Sequence, residues 1–353
     1  MRLEKKGYEL RDISIVPKSS VSTDNIGSIM VQTPICGRRV LPIFVAPSES
    51  VTNERNYTTW LKNGGTPVLP CCVGERISLE ERLNIAEDTF VALSYDDAVE
   101  ISCYEIPPHF KKKYIYIDVQ NGHLRKVMEL CRRLKDVYKD KIELMVGGVA
   151  NADAYKYMLL AGVSYIRLSI GGEMSGVVSE TMGIHYPLAT LIDDFATEKK
   201  HLWSNGAAET YDQLPKIVVD GGIYRYDDII KALALGADAV MLGRMFAECY
   251  EACSRLLYCK SEEDFLLDTG YCEDELDSLT DDELDSLTPY RYYIGTDFST
   301  APSMKIMPEV IEVKHDVMAF LMNLTGYLRT AMHYCGSDTL LNFANNTKFI
   351  ING

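Results

Sequence analysis

Two glycine-containing turns, each directly after a short apolar run, are the part of this sequence best suited to chemistry. The runs are residues 217–219 and 239–242, and the turns contain Asp220, Gly221 and Gly222 in the first case and Gly243 and Arg244 in the second. Glycine lets backbone N–H groups approach a ligand closely, because no Cβ intervenes. Where such a turn opens a helix, the free N–H groups and the helix dipole favour an anion, most often a phosphate. The pair of turns therefore predicts a phosphate site.

The elements that position these turns follow a repeating pattern of short apolar runs and helical segments. Most of the runs are rich in Val, Ile, Phe or Tyr, as expected of buried strands, and they are residues 40–46, 67–69, 89–94, 114–119, 142–146, 165–169, 217–219 and 239–242. Amphipathic or glycine-terminated helical patterns are residues 121–134, 152–161 and 226–235. Eight such units favour an α/β fold, a (β/α)8 TIM barrel, whose seventh and eighth turns commonly bind phosphate. An open parallel sheet with a helical tail is the alternative.

Size, charge and cysteine content limit the class of protein. The 353 residues can form one barrel with insertions, and the net charge of −15 argues against binding to nucleic acid or to an acidic membrane. No run is apolar enough for a signal peptide or a membrane span. The ten cysteines have no C-x-x-C pair and no zinc-finger spacing, so we expect no metal site and a reduced, cytoplasmic protein.

An acidic tandem repeat interrupts the pattern after the eighth unit. Residues 273–288 read EDELDSLT followed by DDELDSLT, with no basic residue. Such a block repels itself, and we expect residues 260–310 to be a mobile, flap-like insertion in a single domain spanning 1–353. It is either a partner-binding element or a solvated insertion that arose by duplication. Order is expected to return near Tyr290, and an amphipathic stretch within residues 314–349 is expected to close the fold.

An ordered set of motifs resembles the IMP dehydrogenase and GMP reductase family. The motifs are YELRDISIVPKS (8–19), LPIFVAPSESVT (41–52), YIYIDVQNGH (114–123), VGGVAN (146–151), the segment 219–244 and GYLRTAMHYCG (326–336). The resemblance implies the TIM barrel, a short form without CBS domains, a purine nucleoside monophosphate as ligand and NAD(P) as cofactor. It also implies a homo-oligomer, a tetramer in the family.

The same resemblance assigns roles to individual residues. The substrate-binding positions are Ser48, Gly171, Asp220, Gly221, Gly222, Gly243 and Arg244, with Asp220 bonding the ribose hydroxyls. The cofactor positions are Asp118, Asn121 and Gly122. Glu309 resembles the family glutamate that contacts the base. Alternatives stay open for three of these: Asp118 could cap the next helix, Asp220 could cap its own turn, and Arg244 could be a solvent-facing residue at a helix start rather than a bidentate phosphate ligand.

The reactive loop departs from the family. A cysteine thiolate attacks the purine in the family, because a thiol is both a good nucleophile and a good leaving group. In the loop 170–187, the cysteine position is Gly176, the two threonine positions are Val177 and Val178, and the arginine position is Ser179. Elsewhere, Ser48 and Glu49 replace a Met-Asp pair, and Gly148 replaces an asparagine. Cys71 and Cys72 after the second strand are candidates for a relocated thiol, whereas Ser175 and Ser179 have no visible base.

Four functional hypotheses follow. The first is a purine nucleotide-binding barrel without the cysteine-dependent activity, acting as a regulator or a partner subunit. The second is an active NAD(P)-dependent oxidoreductase with altered chemistry on a purine nucleotide. The third is an FMN-dependent barrel oxidoreductase, since such barrels share the glycine turns. The fourth is an interaction protein whose acidic block 273–288 binds a basic protein partner.

Overall fold

The computed structural model describes residues 6–22, 25–71, 77–104, 106, 109–169, 183–295 and 308–352. In chain order its strands are β1 (Ile13–Val16), β2 (Thr33–Ile35), β3 (Arg38–Val40), β4 (Ile43–Val45), β5 (Val68–Leu69), β6 (Phe90–Leu93), β7 (Lys113–Asp118), β8 (Ile142–Val149), β9 (Tyr165–Leu168), β10 (Lys216–Asp220), β11 (Ala239–Leu242), β12 (Leu256–Cys259), β13 (Thr288–Tyr293), β14 (Glu309–Glu312) and β15 (Lys348–Ile351).

The α-helices of the same residues are α1 (Tyr57–Lys62), α2 (Leu79–Ile85), α3 (Tyr95–Ile101), α4 (Arg125–Tyr138), α5 (Ala154–Leu160), α6 (Leu188–Ser204), α7 (Tyr226–Leu235), α8 (Arg244–Ala247), α9 (Glu262–Leu266), α10 (Asp281–Asp285), α11 (Val317–Tyr334) and α12 (Leu340–Asn346). None of the described helices is long and apolar enough to cross a membrane.

Strands β4 to β11 form one eight-stranded parallel sheet in the order β4-β11-β10-β9-β8-β7-β6-β5. The two ends of this sheet meet at a parallel bridge between Val45 and Pro67, and the amide of Val45 donates to the carbonyl of Thr66 at 2.8 Å. The sheet therefore closes on itself, and the predicted TIM barrel is confirmed. The open-sheet alternative is wrong.

Side chains alternate between the inside of the barrel and the layer under the helices. Inward residues such as Phe44, Phe90, Tyr116 and Tyr165 form one cluster, while their chain neighbours pack in a second cluster against the helices. Tyr165 packs edge-on against Phe44 and Phe90, with ring centroids 6.1 and 5.2 Å apart. This period of two follows from the pleat of a strand. It also decides which polar side chains at the strand ends point into the barrel mouth.

The predicted strands all occur, most of them with shifted ends, whereas the run 239–242 has the predicted bounds. The first predicted run, 40–46, was wrong at its start, because Val40 belongs to the β2–β3 hairpin and only Ile43–Val45 enters the barrel. The helix predicted at 121–134 begins later, at Arg125, and continues to Tyr138. Helix α7 has the predicted bounds and ends at Gly236, which adopts φ of 118°.

The insertion after the barrel is built on a three-stranded antiparallel sheet of β12, β13 and β14. The acidic block lies between β12 and β13 and contains the short helix α10 and a 3-10 helix at Glu273–Ser278, neither with a buried residue. The acidic block is thus exposed, as predicted, whereas its mobility remains a prediction. Regular structure is therefore present within the block and not only from the expected Tyr290 onward, and β13 begins at Thr288.

The C-terminal segment closes the fold as expected. Helix α11 buries Phe320, Leu324, Leu328 and Met332, a stripe spaced at about one helical turn. Strand β15 then pairs antiparallel with β1 near the start of the described chain. The cysteines in the described part of the chain are all free, and five of them are buried.

Candidate active site at the barrel mouth

Three charged side chains meet inside the carboxyl end of the barrel. Asp118 ends β7, Arg167 lies in β9 and Asp220 ends β10, all at inward positions of the alternation. Nε and Nη2 of Arg167 lie 2.6 and 2.5 Å from Oδ2 of Asp220, and Nη1 lies 3.8 Å from Oδ1 of Asp118. All three residues are buried. One guanidinium is therefore shared by two buried carboxylates, and it lies closer to Asp220 than to Asp118.

Small neighbours and a tyrosine shape this cluster. A Cβ on Gly147 would lie 2.5 Å from Cβ of Arg167, so glycine is required for the arginine to lie across β8 towards Asp118. The hydroxyl of Tyr116 donates to Oδ1 of Asp118 at 2.8 Å. Burial raises the pKa of Tyr116 well above its usual value, so this hydroxyl stays a donor at neutral pH. Asp118 is thereby held in place from two sides.

The two predicted glycine turns are neighbours in space because β10 and β11 pair, with Asp220 opposite Met241. Gly221 and Gly222 have φ of 85° and 70°, a left-handed conformation that favours glycine. Asp228 fixes this turn by accepting the amides of Tyr224 and Arg225, both at 3.1 Å. The turn is therefore capped by Asp228, and the alternative that Asp220 caps it is wrong.

The second turn is covered by the insertion. A Cβ on Gly243 would lie 2.3 Å from the hydroxyl oxygen of Tyr293, the last residue of β13. The next residue, Ile294, is attached to the loop after β4, since its carbonyl accepts the hydroxyl of Ser48 at 2.7 Å and its amide donates to Ser50 at 2.8 Å. Ser48 is buried. The predicted substrate residue Ser48 thus anchors the insertion over the mouth.

Arg244 lies between the turns and does not face solvent freely. Its Nε donates to Oε1 of Glu309 at 2.8 Å, its Nη1 donates to Oε1 of Glu248 at 3.0 Å, and its guanidinium carbon is 5.7 Å from the ring centre of Tyr224. Burial lowers the pKa of Arg244, but the hydrogen bond that it donates to Glu309 and the negative charges of Glu309 and Glu248 outweigh burial and raise it. Arg244 begins α8 and its side chain is 29% exposed, but it is ion-paired, so a phosphate would have to share it with carboxylates. Its role as a phosphate ligand stays a prediction.

Of the predicted cofactor residues, Asp118 ends β7, and Asn121 and Gly122 lie on the loop between β7 and α4. Asn121 accepts the amide of His123 at 3.1 Å, and the amide of Gly122 donates to the carbonyl of Gly148 at 2.9 Å. A Cβ on Gly122 would come within 2.9 Å of Val149, so this glycine allows the loop to pack on β8. Helix α4 takes Leu124 as its N-cap, which makes the capping alternative for Asp118 wrong.

The family to which this barrel belongs is shown by comparison with known proteins. A profile described as the IMP dehydrogenase / GMP reductase domain matches residues 110–352. The chain belongs to this family. It is 29% identical over 240 residues to the inosine-5′-monophosphate dehydrogenase of Chlorobaculum tepidum and 30% identical over 244 residues to that of Halalkalibacterium halodurans. Each match covers 67% of this chain and 44% of the relative, so less than half of the relatives' length is represented.

Several residues that the sequence analysis singled out, either as family positions or as substitute nucleophiles, lie outside the described part of the chain. They are Gly171, Gly176, Val177, Val178, Ser179, Cys72 and Ser175. Cys71 is described, and its partly buried side chain packs against the inward cluster of the barrel. No group of three His, Cys, Asp or Glu side chains in the described ranges could hold a metal ion.

The structure adds two residues that sequence reasoning missed. Arg167 had a signal, since a charged residue interrupts the otherwise apolar run 165–168 at an inward position, on the strand next to the one that ends at Asp220. No sequence signal pointed to Tyr293, because the approach of β13 to Gly243 depends on how the insertion folds back. Glu309, which was expected to face the base, is instead bound to Arg244 and has a side chain 48% exposed.

Proposed function

We propose that this IMP dehydrogenase and GMP reductase family member binds a purine nucleoside 5′-monophosphate at the barrel mouth and lacks the cysteine-dependent reaction. The observation that carries the proposal is the arrangement of the two glycine turns side by side, with Asp220 beside the first and the Tyr293 hydroxyl on the second. Backbone N–H groups and a hydroxyl suit a phosphate, and a carboxylate suits two ribose hydroxyls.

Asp220 can serve this role without releasing Arg167. A carboxylate offers about four acceptor positions on two oxygens. Both Arg167 nitrogens use a single oxygen, Oδ2. Ribose hydroxyls can therefore bind Asp220 while Arg167 keeps the side chain in its orientation. In a water-poor mouth each of these hydrogen bonds is stronger than in bulk solvent.

We include NAD(P) in the proposal because the family implies it as a cofactor. The described residues at the rim of β7 fit its nicotinamide riboside. Asp118 supplies a fixed carboxylate at the rim of β7, held by Tyr116 and Arg167, to which hydroxyls can donate. When bound, a nicotinamide would supply hydride chemistry. The loss of standard activity is proposed from Gly176, which has no side chain to serve as a nucleophile. A homo-oligomer is likewise proposed from the family.

Calorimetric titration of the full chain with IMP, GMP, XMP, AMP and FMN tests the binding. We expect saturable binding of one purine monophosphate, and Asp220→Asn should weaken it by roughly tenfold through loss of charged hydrogen bonds. Asp227→Asn, which removes an exposed charge of α7, is the matched control. Absence of binding by every nucleotide would refute the proposal. Turnover of IMP or GMP with a nicotinamide cofactor at ordinary rates would refute its second half.

A further inference from the structure

A groove of about 490 Å³ lies on the outer rim between helices α4 and α5, separate from the inward cluster at the barrel mouth. Arg125 and Arg132 of α4 line one side, Asp153 and Tyr157 line the α5 side, and His123 completes the lining. Its floor includes Met128 and Ala154, which are both buried. None of these residues belongs to the proposed monophosphate site, and His123 directly follows the predicted cofactor residues Asn121 and Gly122.

The two arginines face the groove from one side of α4. They are seven positions apart, which is two turns and about 10 Å along the helix axis. Within the described residues neither guanidinium makes a hydrogen bond or an ion pair, although Glu129 lies between them on the same face. The neighbouring Arg133, by contrast, is bound to Ser102. Among the described residues, Arg125 and Arg132 are thus two unpaired cations in a chain of net charge −15, and their guanidinium groups can bind an anion.

The side of the groove formed by α5 suits the ribose and the base of a nucleotide. Tyr157 is 57% exposed and offers a flat aromatic surface, and Asp153 offers a carboxylate for hydroxyl groups. His123 accepts the amide of Ala150 through Nε2 at 3.1 Å, and burial lowers its pKa. Its ring is therefore neutral at physiological pH, with the proton on Nδ1. Guanidiniums, a carboxylate and an aromatic ring around an apolar floor match phosphate, ribose and base.

We propose that this groove is a second nucleotide site, in which Arg125 and Arg132 bind the phosphates and the base packs on Tyr157. The site is independent of the monophosphate site at the barrel mouth, because the two share no residue. It would allow a second nucleotide to be bound at the rim of β7 and β8 while the mouth is occupied.

Calorimetric titration with ADP tests this proposal on the full chain and on Arg125→Gln, Arg132→Gln and Lys126→Gln. Lys126 is the matched control, because it neighbours Arg125 but lies over the ring of Tyr95, 4.3 Å from the ring centre. We expect ADP to bind the parent and the Lys126 variant equally and each arginine variant about tenfold more weakly.

Two results would overturn the second site. One is the absence of ADP binding to the parent, and the other is equal affinity in all four proteins. Asp220→Asn separates this site from the proposed function: it should leave ADP binding unchanged, and a loss of ADP binding confined to that variant would place the ligand at the mouth. Thermal unfolding of each variant checks that the exposed substitutions leave the fold intact.

Discussion

Arg244 and Glu309 join the turn after β11 to the first residue of β14, with 2.8 Å between Nε of the arginine and Oε1 of the glutamate. The residues are 65 positions apart in the chain. Glu248 holds the same guanidinium from the other side, and Lys314 lies 3.4 Å from the second oxygen of Glu248. The carboxylate of Glu309 thus acts as an internal anion, because it belongs to the insertion and is bound to Arg244 in the turn proposed to bind phosphate.

Removing that internal anion should strengthen ligand binding. With Glu309→Gln, Arg244 loses one carboxylate partner, so it becomes more available to a phosphate, and we expect IMP or inorganic phosphate to bind several-fold more tightly. Titration calorimetry at fixed ionic strength measures the change. Glu312→Gln, an exposed change on the same strand, is the control and should have no effect. Equal affinities for the two variants would show that Glu309 does not compete.

Arg167 should dominate the electrostatics of the mouth. Arg167→Met leaves Asp118 and Asp220 buried with no compensating cation from this position, and we expect a loss of about 3–5 kcal/mol in the free energy of unfolding. Urea denaturation measures it. Arg225→Gln, which breaks an ion pair of a 63% exposed side chain, should cost no more than about 1 kcal/mol. Adding Asp220→Asn to Arg167→Met should restore part of the stability, and a loss no larger than that of Arg225→Gln would contradict this account.

Gly243 should resist even the smallest side chain. Gly243→Ala places a Cβ 2.3 Å from the Tyr293 hydroxyl, so the Tyr293 ring, the turn or β13 must shift, at a cost of about 1–3 kcal/mol. The midpoint of thermal unfolding reports this. Gly326→Ala in α11 is the reference, because a Cβ there meets nothing within 4 Å and alanine is favoured in a helix by about 1 kcal/mol. The prediction fails if both variants change stability in the same direction.

His123 should make stability depend on pH. Burial lowers its folded-state pKa below the unfolded value of about 6.5, so the unfolded chain binds the proton more readily. The contribution of neutral His123 to stability is complete above its pKa in the unfolded state. It is lost as the pH falls through its pKa in the folded state. Between pH 8 and pH 5, the free energy of unfolding should therefore fall less in His123→Gln than in the parent chain. Glutamine keeps an acceptor for the Ala150 amide. Identical pH profiles would exclude this role.

The sequence by itself determined the barrel, its strand order along the chain and the two glycine turns. Strand runs such as 239–242 and helix ends such as Gly236 are local signals, because apolar periodicity and a left-handed glycine act within a few residues. The family motifs added the roles proposed for Asp118 and Asp220. These inferences needed no knowledge of which strands are neighbours.

Only the tertiary structure decided which charges meet. Arg167 reaches Asp220, 53 positions away, because β9 and β10 pair in parallel, with Arg167 opposite Val218, and both side chains point into the barrel. Tyr293 and Glu309 cover Gly243 and Arg244 because the insertion folds back on the barrel. Pairing of this kind depends on strand register, side-chain reach and the room left by a glycine such as Gly147. Sequence spacing contains none of these distances, so it could not show that Arg244 is bound to the carboxylate of Glu309.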